Sequence, residues 1–413
     1  MKNISKLILF LSVISILGMG CKSQASTIDP GSVRDVFAGA AGVFILREDN
    51  TLWGAGYNRS DQFGLLDTAA DHRITRINDE NGLPVSGVKY AAAGESHTVI
   101  LKEDGTLWGA GDSSFGELGL GGGRLRVFTQ LRTGGSSIKG VKAVAAGNNS
   151  TFFIDNNGSL WTSGFNYYGE LGLGNQSQQS SFTIVGSAGQ NIKAVTAGIR
   201  HTALLKDDGT LWTAGYNFNG QLGLGDTEDR NIFVEAKSAG NGITAVAAGN
   251  YHTIILKSDG SVWAAGSNYW GQLGFPGEND EPAFVRMLDK NGNSLADIRE
   301  IAARGNITVL LKADGSLLLA GNYMDTEGAS PPPLDAAAAE ENSKQAERSG
   351  FTPLVPEQGS QAAFAGVKKV VLGYNSIYVI ATDGRLWAAG SNRYGQLSLD
   401  PDTETTSVLK LIN

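Results

Sequence analysis

Residues 88–111 read VKYAAAGESHTVILKEDGTLWGAG, and the fold can be inferred from this stretch. Two apolar runs, HTVILK and TLWGAG, flank Asp104-Gly105. Asp-Gly tolerates positive φ at both central residues of a type I′ hairpin turn, so the two runs are predicted to pair antiparallel. A further apolar run, VKYAAA, comes before them, and FTQLRT begins at Phe128, 20 residues after Trp108. Four short strands in a unit of this size describe one propeller blade.

The unit recurs seven times along the chain. Its opening segment appears as VRDVFAG at 33, VKYAAAG at 88, VKAVAAG at 141, IKAVTAG at 192, ITAVAAG at 243, IREIAAR at 298 and VKKVVLG at 367. From the first residue of each opening segment to Trp53, Trp108, Trp161, Trp212, Trp263, Leu318 or Trp387 is always 20 residues. The turn dipeptide recurs as well, at Asp49-Asn50, Asp104-Gly105, Asn157-Gly158, Asp208-Gly209, Asp259-Gly260, Asp314-Gly315 and Asp383-Gly384. Edge segments follow from 74, 128, 182, 233, 284, 351 and 408.

The expected architecture is all-β: a seven-bladed β-propeller of four-stranded antiparallel blades over residues 33–413. Because the pattern opens on VRDVFAG and ends on VLKLIN, closure is expected from residues 408–413 joining the N-terminal blade. Stacked blades bury both strand faces, which explains the absence of strict polar alternation. The AAG runs suit the crowded axis, and the recurrent Trp is expected to pack in the core between blades.

Composition agrees with a turn-rich globular chain: 413 residues, 41% hydrophobic, with 56 Gly and 10 Pro. The formal charge is -8, and losing Lys2 and Lys6 with the leader makes it about -10. No basic cluster offsets this, which argues against nucleic acid as a partner. The single cysteine, Cys21, excludes an intrachain disulfide.

Residues 1–21 read as a secretory leader: Lys2 and Lys6 precede the apolar LILFLSVISIL, which is too short for a stable transmembrane helix. Leu17-Gly18-Met19-Gly20-Cys21 resembles the lipobox of bacterial lipoproteins, although Met19 departs from its commonest residues. The resemblance implies lipid attachment at Cys21, a polar tether over 22–32, and a bacterial cell-envelope location held by the lipid.

After the Trp strand several repeats read Gly-aromatic-Asn-x-x-Gly-[Gln/Glu]-Leu-Gly, as in GFNYYGELGLG, GYNFNGQLGLG and GSNYWGQLGF. With AAGxxHT at His97, His201 and His252 and with DGTLWxAG, this resembles the regulator-of-chromosome-condensation repeat, over residues 33–413. The resemblance implies the propeller fold. Nucleotide exchange on a small GTPase and chromatin binding, known in the family, do not suit an exported chain, and the repeat serves as a scaffold for several functions.

The variable loop positions inside that fixed frame are Ser114-Phe115, Tyr167-Tyr168, Phe218-Asn219, Tyr269-Trp270 and Arg393-Tyr394. Two readings stand for Phe115, Tyr167, Tyr168, Phe218, Tyr269, Trp270, Arg393 and Tyr394: a recognition surface for a protein partner, or rings packed between blades. Aromatic and Arg side chains concentrate binding energy at interfaces. His97, His201 and His252 share one repeat position and lie around a ring, which suits a structural hydrogen bond within each blade better than a metal site. Blade six departs most: Leu318 replaces Trp, Arg304 replaces the recurrent Gly, and residues 324–350 form an insertion, either a tolerated loop or a partner-binding projection. No HExxH, GxSxG or phosphate-loop motif is present, and no metal or cofactor is expected. The resulting expectation is a non-enzymatic, envelope-anchored scaffold. A carbohydrate or cell-wall binding module is the alternative, followed by a propeller lyase or glycosidase.

Overall fold

The computed structural model describes residues 10–11, 13–14, 32–40, 42–66, 71–79, 81–289, 291–322, 350–358, 364, 366–397 and 405–412. Cys21, the tether as far as residue 31 and the insertion as far as residue 349 lie outside them. The short strands Phe10–Leu11 and Val13–Ile14 pair antiparallel with each other. They lie beside the innermost strands of the third, fourth, fifth and seventh blades.

Seven four-stranded antiparallel sheets form the ring. In the second blade the strands, from axis to rim, are Val88–Ala93, His97–Lys102, Leu107–Asp112 and Arg124–Gln130. The first blade runs from Val33–Ala38 to Asp71–Arg76, and the third from Val141–Ala146 to Gln179–Ile184. The fourth runs from Ile192–Ala197 to Arg230–Glu235, and the fifth from Ile243–Ala248 to Glu281–Arg286. The sixth and seventh run from Ile298–Arg304 to Thr352–Leu354 and from Val367–Leu372 to Thr405–Ile412. Each inner pair slips by one residue at its start, as where Val88 faces Lys102 but Tyr90 faces Leu101. Such a bulge adds twist and lets the strands fan outward from the axis.

The core lies between blades and not within them. Phe44 and Leu46 of the first blade pack with Ala91, Ile100 and Phe128 of the second. At the seam, Val36, Val43 and Ala55 of the first blade meet Tyr378, Ala388 and Leu397 of the seventh.

Three local expectations need correction. The C-terminal strand does not join the first blade: Leu386 pairs with Ile412 and Ala388 with Lys410, so Thr405–Ile412 completes blade seven. Its contribution to the seam is side-chain packing by Ile412. The turns are also not of type I′. Positive φ falls only on the second residue of each dipeptide, as at Gly105, and the Gly105 N–H donates to Lys102 C=O at 3.0 Å while Lys102 N–H donates to Thr106 C=O at 2.9 Å. This is a three-residue loop, a type I turn followed by a left-handed bulge residue.

The turn aspartate brackets the start of the third strand. Asp104 Oδ1 accepts from the Thr106 N–H and hydroxyl, and Thr106 Oγ1 accepts from Trp108 Nε1. The recurrent tryptophans pack against the clusters between blades, as expected, and this bonding keeps all but Trp387 half-buried near the turn. Lys102, Lys206 and Lys257 lie over the rings of Trp108, Trp212 and Trp263. Only in blade seven is the ring, Trp387, fully enclosed.

The histidines bond across blades and not within them. His97 Nε2 reaches Thr151 Oγ1, His201 reaches Thr253 and His252 reaches Thr308, each at 3.0 Å. Thr253 spends its own proton on Gln221 C=O at 2.8 Å, so His201 supplies the proton between them and is neutral with Nε2 protonated. Burial pushes His97 and His252 down to about 3 and His201 to about 4, keeping the joints neutral.

The seam between blades seven and one also carries charge. Lys369 and Asp35, at one repeat position on adjacent inner strands, form a buried ion pair, with Glu300 of blade six occupying the same position. The Val33 N–H donates to Gly384 C=O at 3.3 Å. Removing one partner of a buried pair strands the other charge, so Lys369→Ala should lower the unfolding free energy by about 3 kcal/mol. The Lys369→Met, Asp35→Leu pair should restore most of that loss in urea titrations. A single variant that melts with the parent would remove the ion pair from any part in closure.

Candidate binding face

Strand direction alternates, so the turn after each first strand and the loop after each third strand emerge at the same rim. This rim carries the variable positions. The recurrent loop residues are its braces. In blade three Asn166 Oδ1 accepts from Leu171 N–H at 2.9 Å, and Glu170 Oε2 accepts from Tyr168 N–H at 2.9 Å. The same two bonds recur with Asn217 and Gln221, with Asn268 and Gln272, and with Asn392 and Gln396. In blade two Ser113 and Glu117 take these places.

The final glycine of the motif is a joint with the next blade. Gly172 has φ +70, and a Cβ there would lie 2.4 Å from the Phe233 ring of the following blade. The two residues between Asn and Gly are left to vary, because the brace uses only the backbone N–H of the second.

Of the eight sequence-selected residues, Tyr167 is 65% exposed, Phe218 70% and Phe115 37%. Arg393 is exposed, and Tyr168, Tyr269, Trp270 and Tyr394 are half-buried. Four of them join a continuous belt. Phe115 meets Phe165 edge-on with centroids 5.2 Å apart, and Phe165 lies 6.4 Å from Tyr167. Tyr167 meets Tyr168 at 5.1 Å, and Tyr168 meets Tyr216 at 4.9 Å. Tyr216 contacts Phe218 at 6.3 Å and Tyr251 at 6.1 Å. The belt therefore crosses blades two to five. Tyr269 and Trp270 pair with each other at 5.0 Å, while Tyr394 packs on Tyr57 at 5.2 Å with Arg393 over its ring, a separate group near the seam.

Sequence reasoning missed Phe165, Tyr216, Tyr251 and Arg200. Arg200 donates to the Tyr168 hydroxyl at 3.0 Å and lies 4.8 Å from the ring centroid. A signal for the last two was present, since Arg200 and Tyr251 occupy the second variable place of AAGxxHT. Among the described residues no group of three His, Cys, Asp or Glu side chains could hold a metal ion.

A closed ring of seven blades with braced frames and variable loops on one rim defines a repeat propeller. Residues 88–117, 141–170, 192–221, 243–272 and 367–396 match one profile described as the regulator of chromosome condensation (RCC1) repeat, and residues 157–205, 208–256 and 259–311 match a second. Together the matches span more than half of the chain, which belongs to the RCC1 repeat family.

The ultraviolet-B receptor UVR8 of Arabidopsis thaliana is 32% identical over 236 residues, 56% of this chain and 51% of that protein. The secretion-regulating guanine nucleotide exchange factor of Bos taurus is 33% identical over 250 residues, 58% of this chain and 50% of that protein. The chain thus spans about half the length of these relatives. The fold is similar to that in the crystal structure of Kap60 bound to yeast RCC1 (Prp20), with a TM-score of 0.67 at 18% identity, covering 97% of this chain and 90% of that one.

The brace also generates a pH effect. Burial pushes Glu117 and Glu170 up to about 7 from an ordinary 4.5. Folding therefore favours the protonated acid, and each carboxyl's favourable contribution is full below about 4.5 and lost as the pH rises through about 7. Glu117→Gln and Glu170→Gln, which copy the glutamine of other blades, should raise the melting temperature at pH 8, with the gain fading toward pH 4.5. A gain independent of pH would contradict the assignment.

Proposed function

We propose that this propeller is a non-enzymatic binding scaffold that recognises a protein partner through the aromatic belt, and that a lipid on Cys21 holds it at a bacterial cell envelope. The observation that carries the reading is the belt itself: seven rings in mutual contact across four blades, with Tyr167 and Phe218 mostly exposed. Rings held by braced backbone and by their neighbours lose little freedom on binding, which favours affinity. Tyr and Arg are the residue types that dominate interface energetics. The family supports a binding role in general terms, since the names of the relatives describe a receptor and an exchange factor.

A photo-crosslinker placed at Tyr167 or Phe218 in intact cells should give a discrete protein adduct. Tyr167→Ala with Phe218→Ala should weaken capture of that partner by at least about tenfold without changing the melting temperature. Undiminished capture would discard the belt, and adducts confined to glycan would transfer the surface to carbohydrate binding. Separately, labelling with radioactive palmitate should be lost in Cys21→Ser; retained labelling would overturn the anchor.

A further inference from the structure

Blade six breaks the repeat at the position nearest the axis. Six blades place Gly39, Gly94, Gly147, Gly198, Gly249 or Gly373 there, and blade six places Arg304. The glycines have a steric reason: a Cβ at Gly94 would lie 2.4 Å from the His97 ring, at Gly249 2.0 Å from His252, and at Gly147 2.6 Å from Ser150 Oγ. In blade six the residue three places on is Ile307, and with His or Ser gone the position accepts a long side chain.

Arg304 then reaches across the ring. Its Nη2 donates to Ala93 C=O of blade two at 2.7 Å, and its guanidinium lies over Tyr374 of blade seven, 5.1 Å from the ring centroid. Its Nε–H is closed off from solvent and has no acceptor. Among the described residues no carboxylate pairs with it. Glu95 is engaged elsewhere, accepting from Asn148 Nδ2 at 2.6 Å, while Asn148 Oδ1 accepts from the Tyr374 hydroxyl. Arg304, Tyr374, Asn148 and Asn250 line one small bowl at the axial mouth, on the rim that carries the belt.

We propose that this axial bowl binds a single carboxylate, with the Arg304 guanidinium as receptor. Arg304 is half-buried, and the guanidinium N–H groups that Ala93 leaves over can be met by a carboxylate in a fork geometry that neither water nor a neutral amide matches. A doubly charged phosphate fits less well, since Arg304 is the one cation of the bowl and Glu95 stands beside it. The inference deepens the scaffold reading and rests on it for the source of the ligand: an acidic side chain of the partner, entering along the axis while the belt grips around it.

Arginine side-chain NMR on the full chain tests this directly. The Arg304 Nε–H resonance, identified by its loss in Arg304→Gly, should move saturably with acetate. That variant restores the glycine of the other six blades, and its melting curve checks folding. It should also move with the blocked peptide Gly-Glu-Gly and not with Gly-Gln-Gly. Arg304→Lys should bind the Glu peptide at least about tenfold more weakly. Tighter binding of the peptide than of acetate supports a partner side chain; tighter binding of acetate overturns that source in favour of a free small acid. An Nε–H unmoved by either at about 100 mM, as expected if only water fills the bowl, overturns the carboxylate site. Cross-linking at Tyr167 and Phe218 reports on the belt independently of that outcome.

Discussion

A four-stranded blade with two apolar faces is stable only with a neighbour on each side, so the whole molecule depends on the ring being shut. Here it is shut without a shared strand. Each blade is made from one continuous stretch of chain, and the first and last are joined by side-chain packing, by Lys369 against Asp35 and by the contact of Val33 with Gly384. The seam is thus built like the other six joints, with an added ion pair where covalent continuity is missing. Glu300, Lys369 and Asp35 sit where blades three to five carry Ala143, Ala194 and Ala245, so the charge is concentrated at the discontinuity.

The recurrent residues are joints more than ornaments of single blades. His97, His201 and His252 reach the threonine of the following blade, and the loop glycine leaves room for the next blade's phenylalanine. That division explains the pattern of constancy and variation along the chain. Whatever fits two blades together is repeated, and the side chains facing solvent at the rim are free to differ.

Much of this was legible in the sequence. The blade number, the strand order and the rim bearing the variable loops follow from the 20-residue spacing and from alternating strand direction. Closure was not legible, because seven opening segments and seven edge segments are compatible with either pairing of the last strand. Loop length favours it: in every blade but the sixth the edge segment follows its own third strand within about 20 residues and pairs there with little loss of chain entropy. The direction of the histidine bonds was hidden for a related reason, since a repeat shows what recurs and not which copy is touched. Turn type went astray because Asp-Gly serves two hairpin geometries, and the Thr106 brace selects the longer one. At the rim, Tyr167 and Phe218 were readable as exposed candidates, whereas Arg200 and Tyr251 stood in a different motif and converge with them only in space. Arg304 was visible as a departure from glycine. Its contact 211 residues away, across the axis, was not.

Complete blades close the ring by side-chain contact, and strand pairing at the C-terminus tests this closure most directly. In a Cys21→Ser background, cysteines at Ala388 and Lys410, which face each other in blade seven, should form a disulfide in high yield under mild oxidation and leave the protein folded. A cysteine at Lys410 that instead couples to one at Gly54, the blade-one counterpart of Ala388, would show a shared strand and contradict closure by complete blades.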